Sequence, residues 1–410
     1  MELKTKYQYT YFIYPYLVDQ KKYDKYLLKL LNNSNCKIKE FESQKDADLY
    51  SYFLPKVRDM LFWSMDYTKN KTEKLRKMES GMQGTLLAQY PCVIFEYNLK
   101  KDIQGKAGKK DGIFFNITKI EIICFNTGIC FLNIKAVLDG ESNLANLCNF
   151  NYKFRDIKSN IYNFGGYDNI KIQTDMFDEI TDIAKLIKDI TGNNYKANLL
   201  NLDTQRFITY SFACIDQECW NDRTNKEIFE KEFLKFAQVK RADQKMDYEE
   251  NMGNVKVLEK TKYEIYGISN MGNVLVTSDI NTDNYTKIPH SFERELLYTY
   301  ILELYKKIYI KKINSDFRRT SKVKEVSKEF IDFTQKIWIE ETTNNDFGNI
   351  MCTKWQEQLN INQLYYELKD KYDTLYKNAN IESTNKTNKW ILALLAILLL
   401  INIISVLKLF

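Results

Sequence analysis

The tail of this chain constrains it most. Trp390–Phe410 reads WILALLAILLLINIISVLKLF, with no polar side chain in its first twelve residues and only Asn402, Ser405 and Lys408 afterwards. As a helix, such a run reaches about 31 Å, close to the hydrocarbon thickness of a bilayer. A buried core helix with no polar stripe would need a sheath on every face. The run therefore predicts one C-terminal transmembrane helix, with Lys386, Lys389 and Trp390 at one interface and Lys408 snorkelling to the other. With no second apolar span, the body that precedes it is expected in the cytoplasm, giving a single-pass membrane localisation. Asn402 is expected either at a contact between copies or near the far interface.

The rest of the chain is of a different kind. Hydrophobic residues at 44%, charged residues at 28% and only 4 prolines exclude a disordered or collagenous chain. The net charge of +6 is spread over short pairs such as Lys21–Lys22 and Lys306–Lys307, so no sequence-specific nucleic-acid surface is expected. His290 is the only histidine, which removes most acid–base and metal chemistry. The 8 cysteines lie far apart and are expected as reduced thiols, with Cys124 and Cys130 facing each other across a hairpin. Cys214 and Cys219 lack a second ligand pair for zinc. The sequence leaves any cofactor unknown and indicates no metal site and no catalytic residue, and the chain is read as a non-enzyme.

Three segments follow from the hydrophobic pattern: an α+β domain over 1–285, a long-helix stalk over 286–388, and the anchor over 389–410. Residues 7–17 read as a strand, and 47–63 as one helix. IFFNITKIEIICF and GICFLNIKAVL form a hairpin about Asn126-Thr127-Gly128, and Ser142 is expected to cap the next helix. A second hairpin turns through Asn270-Met271-Gly272-Asn273. In the stalk, Phe292, Leu296, Tyr300, Leu304 and Ile308 recur every four residues. Ile361, Tyr365, Leu368, Tyr372 and Leu375 form an a/d seam, which suits either packing within the chain or a coiled coil between copies. The segment Gly105–Lys110 imitates a phosphate loop but lacks its first glycine and its Ser/Thr. It reads as a lysine-rich loop tip, where Lys106, Lys109 and Lys110 are candidates for an anionic ligand. Asp216, Glu218 and Asp222 form an acidic loop after a buried strand.

The hairpin CFNTGICFLNIKAVL, then NLCNFNYKFRDI, YGISNMGNVLVTS and FGNIMCTKWQEQLNINQLYYELKDKYDTLY, stand in an order that resembles CorA-like divalent-cation channel proteins. The likeness is to the divergent CorA-like membrane proteins found beside type III CRISPR systems. The family's Gly-Met-Asn signature and second membrane helix are absent from this sequence. The resemblance implies an oligomeric, tail-anchored membrane effector. Its cytosolic domain would sense a ligand, such as a nucleotide messenger in antiviral defence, and gate or disrupt the membrane. Asn402 and the seam from Ile361 to Leu375 would join the subunits. The alternative is a non-conducting adaptor that tethers a cytosolic partner to the membrane.

Overall fold

The computed structural model describes residues 2–62, 71–98, 103–107, 112–140, 142–157, 171–173, 181–192, 206–221, 226–245, 254–317, 323–339 and 341–407. They fall into two units: Met1–Tyr309 with Ile339–Leu359, and Ile310–Trp338 with Asn360–Phe410.

The first unit is built on one mixed sheet. Its strands are β1 (Lys4–Leu17), β2 (Cys36–Ile38), β3 (Cys92–Tyr97), β4 (Ile103–Ala107), β5 (Ile113–Phe125), β6 (Ile129–Leu138) and β7 (Ser142–Asn143). They continue with β8 (Lys171–Gln173), β9 (Thr181–Asp182), β10 (Ile208–Ile215), β11 (Lys256–Thr261), β12 (Glu264–Ile268) and β13 (Gly272–Ser278). The order across the sheet is β11-β12-β13-β10-β1-β6-β5-β4-β8-β9, with β3 and β2 added on β5 and β7 on β1. Among the described residues only β10 and β13 pair in parallel.

The helices of this unit are α1 (Tyr23–Asn32), α2 (Ala47–Tyr52), α3 (Pro55–Leu61), α4 (Lys71–Arg76), α5 (Ser80–Gln89), α6 (Leu144–Arg155), α7 (Ile183–Thr191), α8 (Gln217–Asn221) and α9 (Lys226–Ala237). They are followed by α10 (Lys287–Ser291), a π turn at Phe292–Leu296, α11 (Leu297–Phe317), which crosses into the second unit, and, back in the first unit, α13 (Asp346–Gln358). The single helix expected over 47–63 is two, because Pro55 cannot continue the ladder and instead opens α3 at its first position. Asn143, not Ser142, caps α6, accepting from the Asn146 N–H at 2.7 Å.

Strand β1 is central, and its run from Gln8 to Tyr16 is buried on both faces. On one face Phe12 stacks on Phe154 of α6 at 3.9 Å, and the Tyr16 and Tyr26 hydroxyls meet at 2.5 Å. On the other, the Tyr9 hydroxyl donates to the Pro289 carbonyl at 2.8 Å and the Tyr210 hydroxyl to the Phe292 carbonyl at 2.9 Å. These tyrosines supply donors to carbonyls around the π turn, where the helical ladder is irregular. Pro15 falls where β1 has lost β10 and keeps only β6, so its missing N–H costs no ladder bond there.

The second unit contains the end of α11, α12 (Val323–Lys336) and α14 (Ile361–Leu407). Tyr365 stacks on Trp338 at 4.1 Å and Tyr372 lies 4.8 Å from Phe330, while Ile361 and Leu368 are buried. The a/d seam thus meets aromatic partners on the same chain.

The expected transmembrane helix is corrected by this structure. No helix among the described residues is long and apolar enough to cross a membrane. Helix α14 has 47 residues, but Asn362–Lys389 carries polar and charged side chains throughout. The fold class is therefore a mixed-sheet α+β unit with a helical unit, and the single-pass membrane localisation is withdrawn with the anchor.

Candidate functional site

Three separate stretches of chain converge where β10 and β13 begin. Their parallel register sets Thr209 beside Gly272, and the turn before β13 is fastened by Ser269. Its hydroxyl donates to the Ala237 carbonyl at 2.7 Å and accepts the Met271 and Gly272 N–H groups, each at 3.1 Å. That bond ties the turn to the end of α9. There the Lys240 N–H returns to the Lys235 carbonyl at 2.9 Å, and Val239 takes φ of 55°. A β-branched residue in the left-handed region costs about 1–2 kcal/mol, and complete burial of Val239 holds it in place. Gly272 makes the room: a Cβ there would lie 2.9 Å from Val239 Cγ2 and 2.4 Å from Thr209 Oγ1.

The third stretch is the end of α6. Asn151, fully buried, bonds Thr10 Oγ1 at 2.9 Å and Ser211 Oγ at 2.9 Å, which fixes the helix over β1 and β10. One turn on, the Arg155 guanidinium lies 4.8 Å from the Tyr152 ring centroid. Asp156 stands behind it, 3.6 Å from Arg155 and 3.2 Å from Arg206.

Between these stretches is a cavity of about 470 Å³. That volume lies within the range of small-molecule sites. Its lining brings together Arg155 and Lys240, four carboxamides from Gln238, Gln244, Asn254 and Asn270, and the Tyr152 ring. Among the described residues, no carboxylate, histidine or cysteine lines it.

No family model, curated protein or solved structure matches this chain. Nothing in those comparisons links it to CorA-like or CRISPR-associated proteins, so the site stands on its own geometry.

None of the described residues singled out by sequence lines this cavity. Gly105 and Lys106 are not at a loop tip but in β4, paired with Phe115 and Phe114 of β5. Gly105 is a slot for the Phe115 ring, which a Cβ would meet at 2.2 Å, and Lys106 Nζ lies 5.6 Å from the Phe114 ring centroid. Lys109, Lys110, Asp222 and the side chain of Asn402 lie outside the described residues. Asp216 accepts from Lys6 at 2.9 Å and from the Glu218 N–H at 2.8 Å, the arrangement of a structural cap. His290 sits 3.4 Å from Asp48, whose carboxylate is engaged by Arg294 at 2.6 Å. Cys124 and Cys130 do face each other across the hairpin, as free thiols.

A second cluster of charge lies under the π turn. Lys39 reaches Glu121 at 2.5 Å and Lys119 reaches it at 3.2 Å, while Lys135 pairs with Glu293 at 2.6 Å. Tyr11 also donates to Glu293, and the Lys39 ammonium bonds the Tyr298 hydroxyl at 2.8 Å. Burial would raise the Glu121 carboxyl, but the charges of Lys119 and Lys39 outweigh it and hold it down at about 2. Glu293 is lowered in the same way, its burial outweighed by Lys135 and Lys119. Groups locked in their charged forms do not trade protons near neutrality. This layer fastens the π turn to the sheet.

Proposed function

We propose that the first unit is a receptor for a small polar ligand, and that the protein works by binding and not by catalysis. The cavity at the start of β10 and β13 carries this reading. It has the volume of a ligand site, a wall of hydrogen-bonding carboxamides and, among the described residues, no carboxylate, histidine or cysteine in its lining. The role of anionic-ligand site that the sequence suggested for Lys106, Lys109 and Lys110 passes to these residues. A nucleotide-derived ligand belongs to the class that such a wall accommodates.

The second unit supports assembly as the partner of sensing. Trp390 is 73% exposed and Leu392 65%, and every described side chain from Trp390 to Leu399 is exposed. Apolar surface of that extent marks an interaction site. On this reading the chain is a self-associating effector, and Leu392→Glu with Leu395→Glu converts assemblies seen by light scattering to monomers. Unchanged mass in that double variant would sink the self-association reading and leave the adaptor.

The receptor reading is tested by thermal unfolding of the full chain across a panel of charged and neutral metabolites. A compound that binds the folded state raises the transition by mass action. The rise should vanish in Asn270→Trp, which fills the cavity. Failure of every compound to stabilise the chain, or equal stabilisation of the filled variant, contradicts the reading.

A further inference from the structure

We propose a second binding site, beyond the carboxyl end of β13, for a neutral ligand with adjacent hydroxyls: a sugar or a cyclic polyol. It shares no lining residue with the cavity at the start of β10 and β13, so the two readings stand or fall separately.

Two turns close this end of the sheet. The β11–β12 hairpin turns through Thr261-Lys262-Tyr263-Glu264, and the chain leaving β13 folds into a short 3₁₀ turn at Thr282–Tyr285. Register sets Glu264 beside Thr277, and the Thr277 hydroxyl donates to the Asn284 carbonyl at 2.9 Å, which holds the second turn beside the first. Residues of both turns line a cavity of about 570 Å³, within the range of small-molecule sites.

Two acceptors in its lining decide the chemistry. Glu264 is 3% exposed, and its bonds from the Lys260 ammonium at 3.1 Å and the Tyr266 hydroxyl at 2.6 Å both fall on Oε1. Asn284 is 7% exposed and donates its amide N–H to the Ser278 carbonyl at 2.8 Å. Among the described residues, no donor reaches Glu264 Oε2 or Asn284 Oδ1. Acceptors on side chains buried this deeply require donors.

Charge then selects a neutral donor. Glu264 is paired with Lys260 at 3.1 Å and Asp283 with Lys287 at 3.2 Å, and among the described residues no other charged side chain lines the cavity. Lys262 stands outside the lining, its ammonium 5.0 Å from the Tyr263 ring centroid. Hydroxyls donate to both acceptors without adding charge. The Tyr263 ring and Ile288 give an apolar wall for the C–H face of a sugar or polyol ring, and the Asn281 carboxamide and Thr282 hydroxyl meet its polar edge.

The test is saturation-transfer NMR and calorimetric titration of the full chain with glucose, myo-inositol, putrescine and acetate. At least one of the two hydroxylated probes should bind, and more tightly than either charged probe. Glu264→Gln should weaken it by about ten- to a hundred-fold, the value of one hydrogen bond to a charged group. Asn281 is exposed, so Asn281→Trp obstructs the cavity without touching the buried Glu264 and should abolish binding. Asn270→Trp, which fills the other cavity, should leave it unchanged. Glucose alone assigns the sugar, and myo-inositol, with or without glucose, assigns the polyol. Four results overturn the inference: neither hydroxylated probe binds, a charged probe binds more tightly, binding is indifferent to Glu264→Gln and Asn281→Trp, or binding is lost in Asn270→Trp and kept in Asn281→Trp. The last of these assigns the probe to the first cavity.

Discussion

Gly272 and Val239 show how closely the cavity wall is built. The backbone of one residue passes so near the side chain of the other that no Cβ fits between them. Gly272→Ala should cost about 1–3 kcal/mol by forcing Thr209 and Val239 apart. A useful contrast is Gly81, in α5, where a Cβ would meet nothing within 4 Å. Gly81→Ala should be neutral or stabilising by up to about 1 kcal/mol. Urea denaturation of both variants checks the pair; equal effects would show that the wall tolerates expansion. Neither role is legible in the sequence, where the glycine that opens a strand and the glycine in the first turn of a helix look alike. Gly105 makes the same point. Its neighbours suggested a loop, whereas the ring of Phe115 needed an empty site in a strand.

At the scale of elements, the charged layer under the π turn gives the fold a pH dependence. The ordinary value for a glutamate is 4.5, and Glu121 is held at about 2 in the folded chain. The layer's contribution is therefore complete above pH 4.5 and drains as pH falls from there toward 2. The loss is on the order of 3 kcal/mol. Glu121→Gln should flatten this acid limb, and at neutral pH it should destabilise the fold because Lys39 and Lys119 lose their buried partner. An unchanged acid transition followed by circular dichroism would refute that role. In the second unit, Leu368→Ala should cost about 2–5 kcal/mol, as for other buried leucines, read as faster hydrogen exchange in α12 and α14. Local pattern revealed much here. The turn at Asn126–Gly128 announced the β5–β6 hairpin, where Gly128 adopts φ of 82°, and the 4-3-4-3 spacing announced the seam. The seam's partner was not announced, since periodicity specifies a face and not what covers it.

For the whole molecule, the reading of the tail is the one corrected. The apolar tail promised a membrane span, yet no helix among the described residues meets that length and apolarity, and its exposed side chains now support assembly instead. The proposed receptor reading rests instead on a cavity whose walls come from α6, the end of α9 and the turn before β13. Arg155, Lys240 and Asn270 belong to three distant stretches of chain, and no spacing rule joins them. The parallel pairing of β10 with β13, the bonds of Asn151 that seat α6 and the Ser269–Ala237 bond bring them together, and long-range contacts of that kind are what a linear pattern does not encode. Hydrogen exchange of the full chain, with and without the most stabilising metabolite, tests the receptor most directly. Protection should appear in the backbone at 238–244 and 269–272, around the end of α6, and nowhere else at comparable strength. Protection confined to other parts of the chain, or none at all, would contradict it.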